Sequence, residues 1–172
     1  SKVGIAGALG VNIVDNTVDA RINPHASIGI AGGDVAVQAE NQAVSTAKAA
    51  PAGDGASGEE VGIGASVAVN TVTERVTGEI AQGVSLAGAD NVSVEASSHS
   101  SSETTAEAGA EGGVAIDAAV AVAVLNQSSR AIISEGSELT TSGDLVVSSE
   151  STGSHSATAT GDTKSGKVGV GA

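Results

Sequence analysis

The 172-residue chain reads as an all-β protein, an elongated β-solenoid of the parallel β-helix kind built from about three repeats of 53–58 residues. Three observations predict this. The chain repeats itself at long range, its apolar residues recur at every second position, and it contains no Phe, Trp, Tyr, Met or Cys. A globular interior uses aromatic rings as its largest fillers. A chain without them needs a thin interior of Val, Ile, Leu and Ala, which stacked strands provide.

The repetition is direct. Val3-Gly4-Ile5-Ala6 returns as Val61-Gly62-Ile63-Gly64, as Val114-Ala115-Ile116-Asp117 and as Val168-Gly169-Val170-Gly171, at offsets of 58, 53 and 54. The whole of 1–172 is therefore one continuous solenoid fragment with units 3–60, 61–113 and 114–167 and the start of a fourth at 168–172. An offset of 53 aligns Val67 with Val120, Val69 with Val122, Ile80 with Ile133, Leu86 with Leu139, Val92 with Leu145 and Val94 with Val147. Apolar positions persist while polar ones drift, the signature of a packing unit whose apolar face is covered by its neighbours.

Each unit opens on a long strand. Val61, Ile63, Ala65, Val67 and Val69 alternate with Gly62, Gly64, Ser66, Ala68 and Asn70, a period of two with β-branched residues on one face. A parity change follows across 71–75, after which Val76, Gly78 and Ile80 continue the row, then Leu86, Val92 and Val94. The expected core is Val3, Ile5, Val11, Ile22, Ile30, Val35 and Val37 in the first unit and Val61, Ile63, Val67, Val69, Ile80, Leu86, Val92 and Val94 in the second. In the third it is Val114, Ile116, Val120, Val122, Ile133, Leu139, Leu145 and Val147. The Ala-rich stretch from Ala106 to Leu125 could be helical, but Gly109, Gly112 and Gly113 interrupt it and Val114, Ile116, Ala118, Val120, Val122 and Val124 alternate as a strand does.

Corners recur once per unit at Gly32-Gly33-Asp34, Gly88-Ala89-Asp90-Asn91 and Ser142-Gly143-Asp144, where glycine supplies positive φ and short acceptors cap the turn. Residues 51–60 are the most loop-like stretch and are expected to form a surface extrusion.

Site chemistry is sparse. Asp34, Asp90 and Asp144 are weak Ca²⁺ candidates at the repeated corner, but the calcium-binding Gly/Asp nonapeptide is absent and turn formation is the simpler reading. No other cofactor is implied. His25, His99 and His155 fall in polar sequence without matched partners, and Arg21 aligns with Glu79 and Ile132, so no catalytic set of acid and base assembles. Asn12 and Asn70 align on the face opposite the Val row, where they form an amide ladder or meet water. Sugar stacking lacks aromatics, and a membrane barrel would need aromatic girdles. The formal net charge of −13 repels nucleic acid and anionic lipid, and no stretch is apolar enough to insert into a membrane as a helix.

The segment Ala20-x-Ile22, Ile28-x-Ile30, Gly32-Gly33-Asp34, Val35-x-Val37-x-Ala39 resembles one coil of the β-helices in large bacterial surface adhesins, the filamentous-haemagglutinin-like and autotransporter-passenger proteins. Residues 78–96 and 131–149 carry the same pattern. Coils of that family span about twenty residues, so a unit of this length is expected to hold more than one coil or a coil with extrusions. The resemblance implies a non-enzymatic extracellular structural or adhesive segment, a rigid rod or fibre at the bacterial cell surface. Its partners would be neighbouring repeats or further copies of itself end to end. The alternatives are a subunit of a self-assembling extracellular matrix filament and, less favoured, an exported polysaccharide-active enzyme.

Overall fold

The structure, a computed structural model, describes residues 1–53 and 55–172; Asp54, within the extrusion expected at 51–60, lies outside the described residues. Every regular element among the described residues is a strand. They are β1 (Val3–Ile22), β2 (Ser27–Gly29), β3 (Val35–Ala49), β4 (Ala56–Ser57), β5 (Val61–Ile80), β6 (Ser85–Ala89), β7 (Val92–Ile133), β8 (Glu138–Thr141) and β9 (Leu145–Gly171). The Ala-rich stretch is strand throughout, within β7.

All pairing between these strands is parallel. β1 pairs with β5, and β5 with the second half of β7, so that Val3, Val61 and Val114 form one row and Ile22, Ile80 and Ile133 another. β3 pairs with the first half of β7, and that with β9, in rows such as Val35, Val92 and Leu145. The short strands β2, β6 and β8 form a separate ladder. Parallel neighbours need a crossover to bring the chain back, and here the rest of each 53–58-residue pass supplies it. The chain thus forms superposed layers, each with a front strand, a short end strand and a back strand. All-β and parallel, with the β1–β5, β5–β7 and β7–β9 pairs at the offsets read from the sequence and β3–β7 one residue short of 58, this arrangement is consistent with a β-helix.

Each unit makes one such layer, where the sequence predicts more than one coil or a coil with extrusions. The front strands β1 and β5 are 20 residues long, about 66 Å at roughly 3.3 Å per residue, whereas neighbouring layers are only about 4.8 Å apart. The long dimension lies along the strands, and three layers make a slab. The first layer has a longer back-to-front connection than the second, and β4 lies within it: Val35 and Val61 are 26 residues apart, their partners Val92 and Val114 only 22. In the second layer the chain turns from back to front inside the continuous strand β7, at a register shift between Gly112 and Val114.

The interior between front and back strands changes character along its length. At the end closed by β2, β6 and β8 it is conventionally apolar: Val37, Ile80, Val84, Leu86, Val92 and Val94 are buried, with Ile22, Ile30, Val35, Ile133 and Leu139 packed against them. Ten of the expected core residues belong to this cluster. Leu145 and Val147 continue the inward rows of Val92 and Val94 in the last layer and are half exposed there.

The other half of the front sheet corrects the expectation. Val3, Ile5, Val11, Ile63, Val67, Ile116, Val120 and Val122 are exposed and face outward, as do the half-buried Val61, Val69 and Val114. The buried row consists of Gly62, Gly64, Ser66, Ala68 and Asn70 and, in the next layer, Ala115, Asp117 and Ala119. The reason is geometric. Strand faces alternate strictly, and the β1–β5–β7 register runs from residue 3 to residue 22 without a bulge. The parity change at 71–75 therefore moves the apolar row from one face to the other, and Val72, Val76 and Ile80 hold the inside. In the first half the two sheets close so tightly that a Cβ on Gly4, Gly10, Gly62 or Gly64 would collide with the backbone of Ser57, Lys48, Glu111 or Gly109. Only small side chains fit, and the branched ones are left outside.

Candidate functional site

Three features carry chemistry or unpartnered surface: the repeated acidic corner, a polar seam between the sheets, and the outward apolar face.

At the corner, carboxylates bind the turn of the neighbouring layer. Asp90 accepts from the Gly33 amide at 2.8 Å and from Ser142 Oγ at 3.1 Å, so it joins the corners above and below. Asp34 accepts from the Asn91 amide and from Asn91 Nδ2, and Asn91 Oδ1 accepts from the Asp144 amide at 2.8 Å. Positive φ at Gly32, Gly33 and Gly88 makes the turn possible. Asp34 and Asp90 are layer-to-layer caps, and Asp144 joins through its amide. Among the described residues no group of three or more His, Cys, Asp or Glu side chains could hold a metal ion.

The histidines stand apart from one another. His25 lies in the turn after β1 with φ of 59°, His99 faces outward from the back sheet, and His155 belongs to β9. Arg21 pairs with Glu79 at 3.3 Å, and Glu79 also accepts from Ser134 Oγ at 2.9 Å, beside a shallow open concavity reaching Gln82 and Glu135. Lys2–Glu60, Lys48–Glu107 and Arg75–Asp15, each at 3.1 Å, join neighbouring layers in the same way. Exposed pairs of this kind contribute at most about 1 kcal/mol each.

The polar seam crosses the middle of the interior. Asn12 Nδ2 donates to Asn70 Oδ1 at 3.3 Å and to Ser45 Oγ at 2.8 Å, and Asn70 Nδ2 donates to Ser102 Oγ at 3.0 Å. Of the two roles open to these asparagines, the ladder between layers is the one present, and it is inside. Beside it lies Glu74, 1% exposed. Its Oε2 accepts from Ser98 Oγ at 2.8 Å, from Gln127 Nε2 at 3.1 Å and, at very short range, from Ser100 Oγ. Burial pushes the Glu74 pKa up, the hydrogen bonds from Ser100, Ser98 and Gln127 pull it down by more, and the carboxyl sits below its ordinary range. Asp117, 2% exposed, occupies the tight half opposite Gly161, where a Cβ would crowd its Oδ1; neither of its carboxylate oxygens has a hydrogen-bond partner.

The sequence reading missed Glu74 and Asp117. A signal was available: both occupy the small-residue parity of their strands, the row of Gly64, Ser66, Ala68 and Asn70. An acidic residue in that row is buried once the row is recognised as the inner one.

The outward face is formed by three front strands. Ile5, Ile63 and Ile116 make one row, Leu9, Val67 and Val120 another beyond the small row of Gly7, Ala65 and Ala118, and Val11, Val69 and Val122 the row after that. Even in the middle layer, flanked on both sides, Ile63 and Val67 stay 38% and 37% exposed. The back sheet presents Gln38, Glu40, Glu95, Ser97, His99 and Glu107 outward instead. One half of the slab's front side is apolar, the other half of it is polar, and the back side is acidic.

No family model, curated protein or solved structure matches this chain.

Proposed function

We propose that the chain is a β-solenoid segment with a mechanical role, a non-enzymatic structural or adhesive element of a bacterial extracellular rod or fibre. The observation that carries this reading is the parallel register, continuous over all twenty residue pairs of β1–β5 and of β5–β7. Each layer presents to the next the same backbone ladder, the same apolar rows and a similar corner, so the stack extends by repetition and each layer covers its neighbour's edge. The interior also favours mechanics over chemistry. The buried acid Glu74 accepts from Ser98 of the back sheet and from Gln127 of the next layer, and the corner acids Asp34 and Asp90 are engaged in capping.

The slab geometry sets a scale for such a rod. At about 4.8 Å per layer, a stack becomes longer than its ~66 Å strands only beyond roughly fourteen layers. The adhesin reading therefore calls for many more layers than three, supplied either by a longer chain or by end-to-end copies. Electron microscopy of the native material tests it: fibres whose axis runs across the strands, with a ~4.8 Å layer repeat, support the reading. Isolated particles no longer than three layers in native material would contradict it.

A further inference from the structure

We propose that the outward apolar face of the front sheet is a lateral interface, on which a second copy of this chain packs face to face. This pairing is distinct from end-to-end growth and does not depend on the proposed function.

The face comprises outward residues of the runs 3–13, 61–71 and 114–124, and none of its outward positions is charged in any of the three layers. Ile5, Leu9, Ile63, Val67, Val120 and Val122 are its exposed centre. The chain as a whole carries a formal net charge of −13, so an uncharged stretch this wide stands out. At about 3.3 Å per residue and about 4.8 Å per layer, eleven residues over three layers cover roughly 500 Å². A contiguous apolar patch of that size lies toward the upper end of what monomers expose, and such patches are often functional.

A second copy fits for two reasons. Two faces together bury about 1,000 Å², the lower bound for a specific interface, and every added layer contributes roughly 160–170 Å² more per copy. Flat rows of β-branched residues are also self-complementary, as in sheets packed about 10 Å apart face to face. In that arrangement the acidic back sheets point away from each other, so the apolar faces join without bringing Glu40, Glu95 and Glu107 together. A lipid surface fits less well, because the face has no aromatic residue and no Lys or Arg at its outward positions to anchor it at headgroups.

Sedimentation equilibrium of the 172-residue chain is expected to show a concentration-dependent dimer, and Val67→Glu with Val122→Glu to weaken it at least tenfold while circular dichroism stays unchanged. Should the double variant fail to fold, single cysteines decide, since the natural chain has none. A bismaleimide should join two copies of Val67→Cys and not two copies of Ser97→Cys, which lies on the back sheet. A chain that stays monomeric at millimolar concentration, a dimer that cross-links equally through Ser97→Cys, or a monomer that floats with neutral phosphatidylcholine vesicles would each overturn the proposal.

Discussion

At the scale of single residues, the molecule depends on polar side chains set in an interior otherwise made of Ala, Gly, Val, Ile and Leu. Glu74 is the sharpest case. Ser98, Ser100 and Gln127 all converge on one of its oxygens, so truncating it strands several buried donors at once. Glu74→Ala is expected to destabilise the fold by about 2–4 kcal/mol in urea denaturation, as removal of a buried hydrogen-bonding hub does. The pH dependence follows from the same contacts. Because the folded carboxyl is held below its ordinary range, its contribution to stability is complete above the unfolded value of about 4.3 and is lost as pH falls through the folded value. The urea midpoint of the native chain should therefore drop on acidification from pH 6 to pH 3 more steeply than that of Glu74→Gln. Equal slopes would show that the carboxylate is not preferentially stabilised.

At the scale of elements, one strand serves two environments. β5 keeps a single register over its length, yet its large apolar residues face outward before residue 70 and inward from Val72 onward. Substitutions on its two faces should therefore differ sharply. Gly64→Val would drive a branched side chain into the backbone of Gly109 and is expected to cost at least about 3 kcal/mol, whereas Val67→Thr, on the outward face, should stay within about 1 kcal/mol. Similar losses for both, measured by chemical denaturation, would place Val67 in the core. This strand also shows how far the sequence was legible. The period of two, the offsets and the corner glycines are local or self-referential signals, and they predicted the strands, the parallel register and the apolar cluster around Ile80, Leu86 and Val92. Which face of 61–71 is buried is a tertiary matter, decided by how closely the back strand approaches. The branched residues point to an inner row because apolar residues usually are inside. The regular small residues Gly62, Gly64, Ser66 and Ala68 were the better guide, since they are what two sheets in close contact require.

At the scale of the whole molecule, each unit of 53–58 residues is one complete layer, stacked directly on its neighbours. That single fact produces the slab, the inter-layer ion pairs, the corner capping and the broad apolar face, so it is the claim to test first. Thr73 and Asn126 face outward from neighbouring layers, 53 residues apart in sequence and directly paired in register, in the polar half of the front sheet away from the apolar face. Paired parallel strands bring such positions to roughly 4.8 Å, within the Cα separation a disulfide spans. In a chain without other cysteines, Thr73→Cys combined with Asn126→Cys should oxidise to an intramolecular disulfide with native circular dichroism, while Thr73→Cys combined with Arg130→Cys, four residues out of register, should not. No disulfide in the first pair, or equal oxidation of both pairs, would contradict one layer per unit.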